Sequence, residues 1–389
     1  MATSTRAIPS HTRPPQQPRM AVRWLARLLE PAGVHLEGTQ RWDLRVRRDR
    51  MASRILWNGM LGACESYMDG DWDCDALDQL TARVVSAGLD NRLSRRPVAF
   101  AHKVIGKIAD LQSHARAGSN VTAHYDRGND LYTAMLGRTM AYSCGYWAKA
   151  RTLDDAQDAK HDLICHKLGL EPGMRVLDIG CGWGGFALHA AAKYGAEVTG
   201  ITLSPSQAEL ARTRCAGLPI RIREQDYRDA TGQFDRIVSI GMFEHVGPKN
   251  YRTFFDCAKR LLTPAGLMLL HTIGGLRSVA ASDPWVDRYV FPGAVLPSAA
   301  EITAALEGRF VLEDWHSFGA DYDRTLMAWH HNFEEAWPSL SARYDERFHR
   351  LWRFYLLTCA GSFRARSNQL WQLVLSPHGQ QGGYRRRSD

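Results

Sequence analysis

The chain has 389 residues, of which 45% are hydrophobic and 23% are charged, and it carries a net charge of +8. Such proportions are typical of a folded globular protein. No run approaches the roughly 18 consecutive apolar residues of a membrane span, and the basic N-terminus lacks the apolar segment of a signal peptide, which argues against a membrane-spanning or secreted protein. We therefore expect a cytoplasmic protein whose charge suits a polyanionic partner, either nucleic acid or an anionic membrane surface.

The two ends of the chain are basic and poor in apolar side chains. Residues 1–28 carry five arginines and no acid, and residues 379–389 end in YRRRSD, so both are predicted to be mobile tails. Residues 29–92 combine helical periodicity with the short strand-like stretch DLRVRRD, which predicts a small, largely helical domain. Residues 93–120 form a basic linker, and residues 121–378 form the main domain.

Strands and helices alternate through the main domain. The predicted strands are 175–180, 197–203, 220–226, 234–241, 266–273, 310–319 and 369–376. Near-continuous apolar strands separated by helical segments predict an α/β fold with a mostly parallel, seven-stranded sheet that is covered on both faces. In such sheets ligands bind beyond the carboxyl ends of the strands.

A glycine-rich loop, VLDIGCGWGGF, follows the first of these strands. Gly180, Gly182 and Gly185 match the dinucleotide pattern G-x-G-x-x-G. An NAD site, however, requires an acid at the end of the next strand, where this chain has Thr202. Asp178, just before the first glycine, would repel a pyrophosphate but attract a cation. These residues favour S-adenosylmethionine, whose sulfonium is cationic and which lacks phosphate.

A second acid, Asp226 in EQDYRD, ends the third predicted strand. Its carboxylate is placed to accept a hydrogen bond from the adenine amino group. A helix-capping role is about as well supported by the same position. Both interpretations stay open at this point.

Seven motifs taken together are much more specific than the glycine loop. They are VLDIGCGWGG, GITLS, QDYRD, GMFEHVGPKNY, LLHTIG, FGADYD and CAGSFRAR. With them, the chain closely resembles the bacterial cyclopropane-fatty-acyl-phospholipid synthases from about residue 30 to residue 378. The resemblance implies an S-adenosylmethionine-dependent methyltransferase with a Rossmann-like fold, and it favours a membrane over nucleic acid as the partner.

The same resemblance implies a reaction. A methylene group from S-adenosylmethionine is added to the cis double bond of a phospholipid acyl chain, through a carbocation that bound bicarbonate deprotonates. It also implies peripheral association with the inner face of the membrane, to which the domain of residues 29–92 contributes, and a homodimer is one expectation. The alternative with related chemistry is a lipid methyltransferase that produces methyl-branched or methylene acyl chains.

Site residues follow from the family motifs. Those implied to hold bicarbonate and to take part in catalysis are Cys144, Glu244, His245, His271 and Tyr322. Those implied to bind the cofactor are Tyr142, Ser143, Asp178, Gly180, Cys181, Gly182, Thr202, Leu203, Ser204, Gln207, Asp226 and Tyr227. His124, Tyr125 and Asn129 are expected to close over the cofactor.

The chemistry of the first set is consistent with an anion site. His271 and Tyr322 can donate hydrogen bonds, and Glu244 can accept the bicarbonate proton. We expect Glu244 to end the fourth strand and His271 to end the fifth. Adjacent strand residues point to opposite faces, so His245 is expected to turn away from Glu244, which argues against a shared metal. The eight cysteines show neither CxxC pairs nor zinc spacing, so no metal is predicted.

Aromatic side chains could stabilise a carbocation through their faces, although for any single one of them ordinary packing in the core or in a lipid tunnel is the better explanation. The candidates are Tyr142, Tyr146, Phe243, Trp285, Tyr289 and Phe291. A further helical face is predicted to line the core or an acyl tunnel, formed by Tyr344, Phe348, Leu351, Tyr355, Cys359 and Phe363. On this face Cys359 is interpreted as an inert buried thiol.

Two other functions use the same fold. A small-molecule or nucleic-acid methyltransferase would need a substrate loop of different composition where this chain has MFEHVGPK. A lipid-binding protein without activity would not need Asp178, Glu244, His271 and Tyr322 together. The sequence therefore favours the lipid-modifying enzyme.

Overall fold

The computed structural model describes residues 20–90, 112 and 128–386. Most of the predicted linker, the first part of the N-terminal tail, and His124 and Tyr125 lie outside the described residues.

A seven-stranded sheet forms the centre of the molecule, as predicted. Its strands are β3 (Arg175–Ile179), β4 (Glu197–Thr202), β5 (Ile220–Glu224), β6 (Phe234–Ile240), β7 (Leu262–Gly275), β8 (Val311–Ser317) and β9 (Asn368–Ser376). They are arranged in the order β5-β4-β3-β6-β7-β9-β8. The first five in this order are parallel to one another, and β9 is antiparallel to β7 and β8. The sheet is therefore mostly parallel, with one reversed strand inserted near an edge.

Twelve α-helices surround the sheet or precede it within the described residues. They are α1 (Met20–Leu29), α2 (Arg50–Met68), α3 (Leu77–Ser86), α4 (Asn129–Leu136), α5 (Leu153–Leu168), α6 (Gly185–Tyr194), α7 (Pro205–Arg214), α8 (Tyr251–Leu261), α9 (Pro284–Tyr289), α10 (Ala299–Leu306), α11 (Ala320–Leu340) and α12 (Glu346–Arg364). Local sequence sets several of their ends. For example, the Thr152 hydroxyl accepts a hydrogen bond from the backbone N–H of Asp155 at the start of α5, and Gly169 ends that helix with φ 57°.

Both faces of the sheet are covered, because alternate residues of each strand point to opposite sides. Val176 and Leu269 pack in one cluster with α5 and α6. The neighbouring residues Leu177 and Leu270 pack in a second cluster with α8 and α10. Burial on both faces explains why the strands are apolar almost throughout rather than alternating.

The N-terminal part contains α1, α2, α3 and a two-stranded sheet of β1 (Arg45–Val46) and β2 (Trp72–Asp73). Its apolar residues belong to the same core cluster as those of α11 and α12. The Arg350 guanidinium of α12 donates to the Trp72 carbonyl and to the Asp73 carboxylate, both at 2.8 Å. The segment therefore packs directly on the C-terminal helices.

Both predicted tails need shorter boundaries. Helix α1 begins at Met20, inside the predicted tail, and its Leu25 and Leu29 side chains are buried. At the other end, the Tyr384 hydroxyl donates to the Lys167 carbonyl at 3.0 Å, and Arg386 pairs with a carboxylate of β8. The predictions weighed charge too heavily here, since a few apolar or aromatic anchors are enough to order a basic segment.

Within the part of the chain that the structure describes, no helix is long and apolar enough to cross a membrane.

Gly361→Ala provides a test of the contact between α3 and α12. In an isolated helix this change favours folding by roughly 0.5–1 kcal/mol. Here a Cβ at Gly361 would lie 2.4 Å from the backbone oxygen of Asp78, so we expect a loss of about 1–3 kcal/mol in the free energy of unfolding, measured with urea. Glu335→Ala on the exposed face of α11 is the control, with an expected change below about 0.5 kcal/mol. A stabilised Gly361→Ala variant would show that the two helices are not in close contact.

Candidate active site

A glycine-rich turn joins β3 to α6 at the carboxyl edge of the sheet. Strand β3 ends at Ile179 and α6 begins at Gly185. Gly180 has φ 84°, a conformation that residues with a side chain rarely adopt, and a Cβ at this position would lie 2.7 Å from the Met242 side chain. The turn therefore requires glycine here, and it lets the backbone approach a ligand closely.

A polar pocket opens beside this turn, at the carboxyl ends of β3, β4 and β6. Eleven of the twelve residues predicted to bind the cofactor line it: Tyr142, Ser143, Asp178, Gly180, Cys181, Gly182, Thr202, Leu203, Gln207, Asp226 and Tyr227. Ser204 does not line it, because its hydroxyl accepts the backbone N–H of Gln207 and caps α7. The Trp183 indole, which does line the pocket, donates to the Asn129 side chain at 3.0 Å.

Asp178 and Lys160 place two ionisable groups in the floor of this pocket, each only 1% exposed. Burial raises the pKa of Asp178 to about 7, and its Oδ2 atom has no hydrogen-bond partner among the described residues. Burial lowers the pKa of Lys160 to about 7, and its Nζ donates to the Ser143 hydroxyl at 2.8 Å. Two buried groups that titrate near neutrality mark a functional site more often than a structural one.

Lys160 was not predicted from the sequence. It lies on α5 in phase with the buried residues Ala156, Leu163 and Ile164, so a charged side chain stands where the helical pattern calls for an apolar one. This mismatch was the signal available in the sequence. Gln157, one turn earlier on the same face, donates to the Ser143 carbonyl at 2.9 Å. Helix α5 therefore positions Ser143 through both residues.

Asp226 fulfils the capping interpretation. Its carboxylate accepts the backbone N–H of Arg228 at 2.9 Å and pairs with the Arg228 guanidinium at 2.8 Å. It also lines the polar pocket. Capping thus fixes the carboxylate at the pocket wall, and the two interpretations left open by the sequence are compatible.

A second, larger cavity adjoins the polar pocket, and we call it the apolar cavity. Its volume is about 870 Å³, and it shares Tyr142, Ser143, Gly241 and His245 with the polar pocket. The sheet, α11, α12 and the N-terminal helices all contribute to its wall, mostly with apolar side chains. Glu244, His245, His271 and Tyr322 line it as well. The structure thus brings four of the five predicted catalytic residues to one cavity.

Glu244 does not end a strand, contrary to the prediction. It lies in a 3₁₀ turn, Phe243–His245, that follows β6. Its Oε1 accepts the backbone N–H of Ile273 at 2.6 Å, while Oε2 is buried and has no partner within the described part of the chain. Burial raises the pKa of this carboxyl to about 7. The argument that strand geometry separates Glu244 from His245 is therefore wrong, although only His245 also reaches the polar pocket.

His271 lies inside β7, four residues before its end, rather than at its end as predicted. It pairs with Ile240, the last residue of β6, so it still stands level with the carboxyl edge of the neighbouring strand. The Gln372 side-chain amide hydrogen-bonds to its Nδ1 at 3.2 Å, and its Nε2 has no partner among residues 20–90, 112 and 128–386. Burial holds the pKa of His271 well below its usual value, so the ring is neutral.

The other three predicted catalytic residues have different surroundings. Burial lowers the pKa of His245 to about 4, and its ring packs against Phe291 at 5.9 Å. Tyr322, on α11, packs its ring against Phe363 at 4.5 Å in the wall of the apolar cavity. Cys144 is fully buried, its thiol donates to the Gly145 carbonyl, and it is not part of either cavity wall.

Only some of the aromatic residues predicted to stabilise a carbocation line the apolar cavity. Tyr142, Trp285 and Phe291 line the apolar cavity. Phe243 instead stacks on Tyr251 at 4.4 Å in the core, and Tyr146 packs against Phe318 at 5.3 Å. The last candidate, Tyr289, instead contacts the N-terminal helices, because its hydroxyl donates to the Glu65 carboxylate. Only the first three can contact a ligand in the apolar cavity.

The helical face predicted from Tyr344 to Phe363 is only partly cavity wall. Tyr355, Cys359 and Phe363 line the apolar cavity, and the Tyr355 hydroxyl lies 2.9 Å from that of Tyr142. Phe348 stacks on Trp352 within the core. Burial raises the pKa of Cys359 to about 12, which keeps it a thiol at neutral pH.

Comparison with known proteins is consistent with this site. The family model described as mycolic acid cyclopropane synthetase matches residues 112–373. The cyclopropane-fatty-acyl-phospholipid synthase of Escherichia coli is 50% identical over 349 residues, which cover 90% of this chain and 91% of that protein. The tuberculostearic acid methyltransferase UfaA1 of Mycobacterium tuberculosis is 32% identical over 86% of this chain and 82% of its own length.

Solved structures show the same fold with related activities. The mycolic acid cyclopropane synthase CmaA1, solved with SAH and CTAB, superposes with a TM-score of 0.62 at 34% identity, covering 69% of this chain and 99% of that one. The cyclopropane synthase MmaA2 from Mycobacterium tuberculosis gives a TM-score of 0.63 at 33% identity with the same coverage. By its family match, its identity to these relatives and the fold of its catalytic part, this chain belongs to the mycolic acid cyclopropane synthetase family of S-adenosylmethionine-dependent methyltransferases.

Proposed function

We propose that this methyltransferase acts on membrane phospholipids and converts the cis double bond of an unsaturated acyl chain into a cyclopropane ring. The observation that supports this most directly is the wall shared by the two cavities. An apolar space of about 870 Å³ is suited to an acyl chain, and it meets a polar pocket suited to a charged cofactor. The identity to a bacterial phospholipid synthase supports the same substrate class.

The polar pocket fits S-adenosylmethionine in charge and in shape. Asp178 Oδ2, which has no partner in the described part of the chain, provides negative charge for a cationic ligand, and the turn at Gly180 lets the backbone come close. Ser143 is held from behind by Lys160 and Gln157, and Thr202 is held by Gln207 through a hydrogen bond of 2.9 Å. When bound, S-adenosylmethionine supplies a methyl group activated by its positively charged sulfur.

Among the described residues, two polar atoms in the wall of the apolar cavity have no hydrogen-bond partner, and they suit a small anion such as bicarbonate, which would supply a base. In the orientation shown, the Gln372 amide nitrogen donates to His271 Nδ1, so the ring proton resides on Nε2, and Nε2 is a donor. Glu244 Oε2 is an acceptor for a hydroxyl proton, because its partner oxygen is held by Ile273. A donor and an acceptor of this kind orient bicarbonate, and Tyr322 lies in the same wall.

Aromatic side chains around the junction of the two cavities protect the reaction from water. Tyr142 lies between Trp329 at 5.1 Å and Phe291 at 6.3 Å, and its hydroxyl meets that of Tyr355. The faces of such rings stabilise positive charge on an acyl carbon without reacting with it. An apolar wall also keeps solvent from quenching that charge.

Peripheral contact with the inner face of the membrane is part of the same proposal. Large apolar side chains that are exposed on the N-terminal helices support it: Met20 is 75% exposed, Trp24 58% and Trp57 71%. Arg27 lies over the Trp24 ring at 6.0 Å. Tryptophan and arginine at a surface suit the interface of an anionic bilayer.

The activity can be tested with vesicles of phosphatidylethanolamine that carry cis-unsaturated chains, and with methyl-labelled S-adenosylmethionine. We expect the fatty acids to gain the mass of one CH₂ group and to lose the double bond, as seen by mass spectrometry. An added carbon with the double bond retained, or a methyl branch, would show that the protein catalyses the related methyltransferase reaction and not ring formation. Absence of transfer to lipid would refute the proposal.

Glu244→Gln tests the anion site. The amide cannot accept a proton, so we expect turnover to fall by roughly 10²–10⁴-fold while the Kd for S-adenosylhomocysteine stays unchanged. Glu301→Gln is the matched control, because that residue caps α10 away from both cavities and glutamine preserves the capping hydrogen bond. Wild-type turnover in the Glu244 variant would remove this residue from the mechanism.

The pH dependence of cofactor binding tests Asp178 and Lys160. As pH rises through about 7, Asp178 gains negative charge and Lys160 loses positive charge, so the pocket becomes more favourable for a sulfonium. S-adenosylhomocysteine lacks that charge. We therefore expect the affinity ratio of S-adenosylmethionine to S-adenosylhomocysteine to increase roughly tenfold between about pH 6 and pH 8 in calorimetric titrations. Asp178→Asn should reduce the dependence to the part that Lys160 contributes, and a flat ratio in the wild type would contradict the assignment.

A further inference from the structure

A cluster of two histidines and one aspartate lies behind the polar pocket, between α5 and α6. We propose that Asp158, His161 and His189 form a binding site for a divalent transition metal of the zinc type. The proposal rests on the side-chain arrangement alone and is independent of the lipid substrate.

The backbone brings the three side chains together. Asp158 and His161 are three residues apart on α5, so they share one face of that helix. His189 projects from α6, which packs beside it. One ligand atom from each residue lies within 4.8 Å of the others. Two imidazoles and a carboxylate are a donor set that zinc accepts, with a fourth position left for water.

His161 is the observation that ordinary packing explains least. It is only 2% exposed, and its Nδ1 has no hydrogen-bond partner among the residues that the structure describes. An unpaired buried polar atom costs about 1–3 kcal/mol unless something binds to it.

His189 is oriented as metal-binding histidines usually are. Its Nε2 hydrogen-bonds to Asp162 at 2.7 Å, and its Nδ1 faces Asp158 Oδ1 at 3.9 Å. A carboxylate on the far ring nitrogen fixes the tautomer and leaves the near nitrogen as a ligand. Asp162 is in turn held by Lys193 at 2.6 Å and by the Tyr194 hydroxyl at 2.9 Å. This second layer of hydrogen bonds restricts the ring to one orientation.

Asp158 is oriented by the same kind of contact. Arg138 donates to its Oδ2 at 2.5 Å, which leaves Oδ1 on the side of His189. Ligand atoms around a tetrahedral zinc, with bonds of about 2.0–2.1 Å, stand roughly 3.4 Å apart. The ligand atoms lie within 4.8 Å of one another, so they would have to approach by up to about 1.4 Å to reach that geometry.

A metal here would join two parts of the polar pocket. His161 lines that pocket and packs against Phe186 of α6 at 6.0 Å. Helix α6 starts at the glycine turn, and α5 carries Lys160. If side chains of both helices bind one ion, the position of the glycine turn relative to Lys160 becomes fixed. We therefore expect metal binding to raise the thermal stability of the protein.

Titration of the full-length, chelator-treated protein with Zn²⁺, followed by calorimetry, tests the site. We expect one equivalent with a Kd in the micromolar range or tighter, an increase in Tm, and a visible Co²⁺ spectrum typical of tetrahedral coordination. His161→Leu, which removes a ligand without leaving an unpaired polar atom, should abolish that equivalent and the shift in Tm. Asp162→Asn should weaken the affinity by roughly 10–100-fold, because it alters only the support of His189.

His331→Gln is the control, since His331 is exposed on α11 and belongs neither to the cluster nor to the hydrogen bonds that support it. It should bind Zn²⁺ as the wild type does. Circular dichroism checks that each variant folds. The site is refuted if the wild type does not bind one equivalent of Zn²⁺ with a Kd in the micromolar range or tighter. It is also refuted if His161→Leu still binds that equivalent of Zn²⁺ and shows the same increase in Tm.

Discussion

The whole molecule is arranged around the junction of two chemically opposite spaces. A polar pocket for a charged cofactor and an apolar cavity for an acyl chain meet at Tyr142, Ser143, Gly241 and His245. The reaction of a cationic cofactor with an alkene at this junction requires that water be excluded. At the same time, a few polar atoms of the protein must remain available to form hydrogen bonds with the ligands. The sheet supplies the polar side through the ends of its parallel strands. The N-terminal helices, residues 273–296 and the C-terminal helices together supply the apolar side.

Such a junction contains buried polar atoms without hydrogen-bond partners, and these destabilise the folded state. Asp178 Oδ2, Glu244 Oε2 and His271 Nε2 are all buried without a partner in the described part of the chain. Each of these atoms lowers the stability of the folded state by about 1–3 kcal/mol, which a structural role alone would not maintain. Burial also moves the pKa values of both carboxyls to about 7, so the site changes its charge near neutral pH.

The N-terminal helices are part of the catalytic architecture, because they close the apolar cavity. Leu25, Leu29, Leu77 and Leu80 line it beside residues of α12. Arginines fix this arrangement: Arg364 of α12 contacts Asp78 of α3, and Arg288 pairs with Glu65 of α2. Removing the segment would expose the cavity to solvent, so the shape of the substrate site depends on these helices.

Local patterns in the sequence determined much of this protein. Apolar runs predicted all seven strands to within a few residues, and the glycine loop predicted the turn at Gly180, whereas most residues of the polar pocket came from the family motifs. These features depend on neighbours in the chain, whose periodicity and turn chemistry are visible in one dimension. The family resemblance, which rests on seven motifs, gave the chemistry that spacing alone left open.

Tertiary structure decided what depends on contacts between distant segments. Periodicity shows which face of α5 is buried, but not that Lys160 on that face meets Ser143. It does not show that Glu244 leaves the strand for a turn and is held by Ile273, or that α3 and α12, which are far apart in the chain, line the same cavity. A sequence pattern indicates whether a side chain is buried, whereas the packing of the whole chain determines which residues that side chain contacts.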